Sequence, residues 1–157
     1  MLIKNLVDED FINYSKPSMF ILFNKCTFKC DKEAGCAICQ NSALAHEPDI
    51  DFSIIEIVSR YLRNPITKAI VCGGLEPFDS EPDLMSLVME FRKYTNDDIV
   101  IYTGYTEEEL ADKLPQLTCY KNIIIKFGRF VPNQEKHCDE ILGVELASAN
   151  QYARRIS

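Results

Sequence analysis

Ser53-Ile-Ile-Glu-Ile-Val-Ser-Arg-Tyr-Leu-Arg63, then Asn64-Pro-Ile-Thr-Lys68, then Ala69-Ile-Val-Cys-Gly-Gly74 is the stretch that decides the fold. Ser53 with Glu56 makes a capping box, and Ile54, Ile57, Val58 and Tyr61 recur behind it at helical spacing. Ala69 to Cys72 is a short apolar run without the alternation of a half-solvated strand, as in a strand covered on both faces. Met19 to Phe23, Ile99 to Tyr102 and Ile123 to Ile125 have the same character. Leu84, Leu87, Val88 and Phe91 form a second helical stripe after Pro82, and Thr106 with Glu109 caps a third helix predicted to run to about Leu114. Strands alternating with helices predict right-handed crossovers and a parallel sheet, an α/β fold.

No repeat, low-complexity tract or linker divides the 157 residues, so one domain over residues 1–157 is expected, with 46% hydrophobic content to fill its core. Asp and Glu number 24 against 17 Lys and Arg, and the net charge of -7 argues against a nucleic-acid partner. Met1 to Asp10 has no basic, apolar signal pattern and no apolar run reaches membrane-spanning length, which predicts a soluble, cytoplasmic chain with no membrane partner. Ser-His-Asp arrangements, phosphate-binding loops and dinucleotide fingerprints are missing, which leaves hydrolase and kinase readings unsupported.

In parallel sheets ligands gather where loops leave the carboxyl ends of the strands. The first such loop, residues 25–42, holds Cys26, Cys30, Cys36 and Cys39, four of the seven cysteines. Thiolates this close, in a chain without a secretion signal, point to a metal centre rather than a disulfide framework. Common zinc modules pair two Cys-x2-Cys units about 12–20 residues apart, and only Cys36 and Cys39 form such a unit here. A zinc-stabilised interaction module and a closed four-thiolate electron carrier remain as alternatives, beside a cubane held by three thiolates with one open iron. Cys72 reads as core packing, and His46 and His137 as surface residues in polar loops.

Cys26-x3-Cys30, followed after an insertion by Cys39-Gln-Asn41, resembles the Cys-x3-Cys-x2-Cys loop of radical S-adenosylmethionine enzymes, in particular the activating proteins of anaerobic ribonucleotide reductase. Gly73-Gly74 with Glu76-Pro77 is similar to that family's glycine-rich turn, and Ile101-Tyr-Thr-Gly-Tyr-Thr106 looks like its Tyr-Thr-Gly-Tyr-Thr segment. Gly128-Arg-Phe-Val131 and Ala149-Asn-Gln-Tyr152 resemble two further segments in the same order. The resemblance implies a partial, open β/α barrel carrying a 4Fe-4S cluster and S-adenosylmethionine. It implies an oxidoreductase that uses a 5′-deoxyadenosyl radical to place a glycyl radical on a large reductase subunit, fed by an electron donor such as a flavodoxin. Other glycyl radical proteins or a small molecule are alternative targets. Cys26, Cys30 and Cys39 are the first choice of cluster ligands, with Cys36 as the alternative to Cys30. Gly73, Gly74, Glu76, Asn41 and Tyr105 are the residues the resemblance assigns to the cofactor. Glycines suit that role because a backbone without Cβ admits close approach.

The chain departs from the family pattern in three places. Asp31 to Gly35 stretches the cysteine spacing, Leu75 adds a residue to the glycine turn, and Lys126-Phe127 stand where the family often has Asp before the Gly-Arg-Phe segment.

Overall fold

A computed structural model describes residues 1–157. Its strands are β1 (Leu2–Asp10), β2 (Ser18–Phe23), β3 (Ile50–Asp51), β4 (Ala69–Gly74), β5 (Asp98–Tyr102), β6 (Ile123–Phe127), β7 (His137–Asp139), β8 (Val144–Leu146) and β9 (Tyr152–Arg155). Its helices are α1 (Lys29–Ala34), α2 (Ile54–Arg63), α3 (Glu81–Phe91) and α4 (Leu114–Thr118). None is long and apolar enough to cross a membrane.

The four apolar runs are the middle of one sheet, with β2, β4, β5 and β6 side by side and parallel. Around them the expected architecture fails. The sheet has seven strands in the order β3-β1-β2-β4-β5-β6-β9 and is mixed, because β1, β3 and β9 all run antiparallel to their neighbours. A parallel β/α barrel, even an open one, is therefore not formed. Each edge of the parallel unit ends in an antiparallel strand, so neither continues the strand-helix repeat that barrel closure requires. The four helices are short as well, α3 being the longest at 11 residues.

Both faces of the sheet are covered, by different means. On one face Ile21, Phe23, Cys72, Ile101, Ile125 and Phe127 pack beneath Ile57, Val58 and Tyr61 of α2 and Leu84, Leu87, Val88 and Phe91 of α3. The capping box is present at α2, where Ser53 Oγ accepts from Glu56 N at 3.0 Å. The opposite face, made by Val71, Val100, Ile124 and Ala153, is filled by Tyr14, Leu142 and Leu146. Tyr14 comes from the β1–β2 loop, while Leu142 and Leu146 belong to the antiparallel β7–β8 hairpin. Burying side chains of this size stabilises by about 1.5–3 kcal/mol each.

The third helix is shorter than its cap predicts. Thr106 and Glu109 exchange both capping bonds, yet only a 3-10 turn, Glu108–Leu110, follows. Pro115 disfavours helical geometry at the residue before it and supplies no amide for the carbonyl of Ala111, so the chain restarts as α4.

Candidate iron–sulfur site

Three loops leave the carboxyl ends of β2, β4 and β5 on one side of the sheet, and backbone bonds tie them together. Glu76 N donates to Lys25 O at 2.7 Å, Thr27 N donates to an Asp79 carboxylate oxygen at 2.6 Å, and Leu75 N donates to Phe23 O at 3.3 Å. Phe28 then takes a left-handed conformation, φ 52°, and turns the chain into α1, which carries Cys30. Asp31 holds the far side of the loop, one carboxylate oxygen accepting from the amides of Ile38 and Cys39 at 2.8 Å each. The insertion that stretches the cysteine spacing is thus folded into a helical turn of its own, closed at Gly35.

The result is a cavity of about 400 Å³ whose walls include Cys26, Cys30 and Cys39 on one side and Gly73, Gly74 and Glu76 on another. Cys36 is exposed and does not face it. Asn41 also lines it and donates from Nδ2 to Gly74 O at 2.7 Å, so the end of the cysteine loop is pinned to the glycine turn. Gly73 packs against Phe20, whose ring would stand 2.9 Å from a Cβ there. Val144, Glu145 and Leu146 of the β7–β8 hairpin also line the cavity.

Glu76 is buried and already well bonded. Its carboxylate accepts from Thr103 Oγ1 at 2.7 Å, Gly104 N at 2.8 Å and Phe78 N at 3.2 Å, which locks the β4 turn to the β5 turn. Burial pushes its carboxyl up to about 7 against the opposing pull of those donors. Tyr105 lies outside the main cavity, on a small adjoining hollow beside Cys26, Cys30 and Arg129. Its hydroxyl donates to Asp79 at 2.6 Å and its ring lies 4.4 Å from Lys29 Nζ. Tyr102, an expected core residue, is half-buried, lines the cavity and donates to Asn13 O at 2.6 Å.

Several residues build the site without having been assigned a role in it from the sequence. Arg129 pairs with Glu109 at 2.6 Å, and Glu109 with Lys29 at 3.1 Å, so α1 is tied to the loops after β5 and β6. Asn150 Nδ2 donates to Arg129 O at 2.9 Å and Gln151 Nε2 to Gly128 O at 3.3 Å, which brings the two late segments of the resemblance into contact. Lys126 is buried in the cavity wall, and burial pushes its ammonium down to about 8 while the charge of Glu76 opposes that shift. Cys72 is fully buried in the core as expected, and His46 is exposed.

The side chains do not stand in a ready-made group of three or more metal ligands. The donor chemistry nevertheless fits an iron–sulfur centre. Burial raises the Cys26 thiol to about 11 and raises that of Cys30, so both are protonated at neutral pH and release protons when a metal binds. A backbone amide, from Phe28 at 3.2 Å, points at the Cys26 sulfur, a contact typical of cluster thiolates. The cavity volume falls in the ordinary range for a small-ligand site, about 300–1,000 Å³. No curated protein and no solved structure matches the chain. The model of a 4Fe-4S single cluster domain matches residues 17–152, a span that includes the cysteine loop and every wall of the cavity except Ile12 and Asn13, and the chain belongs to that family.

Proposed function

We propose that this protein is a radical S-adenosylmethionine enzyme whose 4Fe-4S cluster is held by Cys26, Cys30 and Cys39. The observation that carries the reading is the sharing of one cavity by these three thiols and the Gly73-Gly74 turn, with Cys36 turned to solvent. Three thiolates leave one iron of a cubane open to a substrate, whereas a closed electron carrier needs the fourth. When bound, the cluster and S-adenosylmethionine supply one-electron reductive chemistry that no side chain provides.

The chain's own residues bind and orient. Gly74, at φ 80°, lets its carbonyl turn toward Asn41 and brings backbone close to the cavity. Glu76 holds the Thr103-Gly104 turn in place and presents its remaining acceptor capacity to the cavity, where an ammonium group would find it. Leu22, Leu44, Val144 and Leu146 give the same space an apolar lining.

The protein target that follows from the sequence resemblance is a large glycyl radical reductase, with a flavodoxin-type donor supplying the electron. A small-molecule target is the second reading, favoured by a cavity volume in the ordinary range for a small-ligand site. The test is anaerobic iron and sulfide analysis joined to electron paramagnetic resonance of the reduced protein. About four irons per chain and a signal altered by S-adenosylmethionine are expected for an open-iron cubane. An unaltered signal, or zinc in place of iron, sinks the reading.

A further inference from the structure

The interior holds three cations, Lys4, Arg129 and Lys126, and two of them are neutralised. Lys4 pairs with Asp49 at 2.9 Å and Arg129 with Glu109 at 2.6 Å. Lys126 is 6% exposed and has a single hydrogen bond, from Nζ to Gly128 O at 2.8 Å. That carbonyl also accepts from Gln151 Nε2, so the turn at Gly128 does not depend on the lysine. Two ammonium hydrogens are left without a protein acceptor. Strand register explains where they lie. Ile123, Ile125 and Phe127 face the helices, which puts Lys126 on the hairpin side of β6, in the cavity wall. The Tyr102 ring lies 6.0 Å from Nζ on that side. Glu76 lines the same wall and its charge acts on the ammonium, but its carboxylate is bonded to Thr103, Gly104 and Phe78 and not to the lysine. A buried ammonium with no hydrogen-bonded counter-ion is costly, and a fold that keeps one beside an open cavity is suited to a ligand that brings a directly bonded charge.

We propose that Lys126 anchors the carboxylate of a small organic acid, which is the substrate taken by this cavity. The inference rests on the small-molecule reading of the site and adds the substrate's chemical class. A carboxylate fits better than a phosphate. The wall offers one free cation, since Arg129 is committed to Glu109, whereas phosphate sites gather several cations or a nest of backbone amides. The remaining polar groups around the cavity include the side-chain amides of Asn13 and Gln40, which suit a neutral polar body attached to one acid group.

The experiment is calorimetric titration of the anaerobic, cluster-loaded protein with acetate, butyrate and benzoate and with the matching amides, and separately with S-adenosylmethionine. At least one acid is expected to bind while its amide does not. K126Q and K126M are expected to weaken that acid by about tenfold or more, K126R to keep most of its affinity, and all three to leave S-adenosylmethionine binding in place. Acylation footprinting of the unmodified protein needs no variant. The acid, and not the amide, should slow acylation of Lys126. Acids indistinguishable from amides, or an acid affinity that K126Q does not change, would overturn the proposal. So would loss of S-adenosylmethionine binding in K126Q, because the lysine would then serve the cofactor's own carboxylate. Acid binding without any binding of S-adenosylmethionine would leave Lys126 in its role and remove the radical reading instead.

Discussion

Replacing Gly74 with alanine tests the idea that the β4 turn is shaped by backbone contact. Gly74 sits at φ 80°, and a Cβ there would meet Leu22 Cα and Cβ at 2.9 Å each and Leu44 Cδ2 at 3.1 Å. Left-handed geometry costs a residue with a side chain about 1–2 kcal/mol. The contact with Leu22 is partly backbone, fixed by the parallel β2–β4 ladder, so overpacking adds about 1–3 kcal/mol. The stiffer unfolded chain returns about 0.4–1 kcal/mol, leaving a net loss of about 1–5 kcal/mol. Gly35 is the control, with φ 67° and nothing within 4 Å of its Cβ. Only the conformational cost and the unfolded-state gain act there, so Gly35→Ala should lose about 1 kcal/mol or less. At about 2–4 °C per kcal/mol for a chain of this size, the extra overpacking of about 1–3 kcal/mol should make Gly74→Ala melt roughly 2–12 °C below Gly35→Ala. Thermal unfolding of both metal-free variants by circular dichroism decides the matter. Equal midpoints would refute the claim that Leu22 leaves no room at Gly74.

Serine at Cys26, Cys30 or Cys39 should each abolish stable iron binding, whereas serine at Cys36 should leave iron and sulfide content near that of the unmodified protein. Metal analysis after identical reconstitution reads this directly, and loss of iron in the Cys36 variant would return Cys36 to the ligand set. Away from the cavity, burial of Asp98 opposes its ionisation, but hydrogen bonds from Lys16, Arg155 and Tyr14 outweigh it and hold the carboxyl below its usual range. A carboxyl with a depressed pKa in the folded state contributes stability above its unfolded pKa of about 3.9 and loses it as pH falls through the folded value. Asp98→Asn should therefore cost about 2–3 kcal/mol in urea unfolding at pH 7 and progressively less toward pH 3, and a cost independent of pH would refute the ionic account.

Strand interiors were legible because β2, β4, β5 and β6 are covered on both faces and read as unbroken apolar runs. The edges were not. β1 is interrupted by shifts in register between Ile3 and Asn5 and between Val7 and Asp10, and β9 buries only Ala153 of its four residues, so neither shows a clean alternation. Those unread strands are the antiparallel ones, and their absence from the pattern turned a mixed sheet into an expected parallel one, on which the resemblance then built a barrel. At the site, Cys26, Cys30 and Cys39 were separable from Cys36 only by the spacing of the first pair and by Asn41, and the structure places the same three on one cavity. Lys126 was visible only as a departure from the family pattern. A lysine within an apolar strand does not reveal which face it occupies until its neighbours on the sheet are known.

The contacts from Asn150 to Arg129 and from Gln151 to Gly128 bear on the order of events during synthesis. The cysteine loop leaves the ribosome early, but the wall opposite it is held by residues made more than a hundred positions later. At about 5–20 residues per second, the thiols stay unsheltered for several seconds while the rest of the wall is translated. Iron delivered during that interval meets the cysteine loop before the wall opposite it is in place. Faithful loading therefore belongs after β9 has joined the sheet, and a chain stalled before Asn150 should take up metal without retaining it.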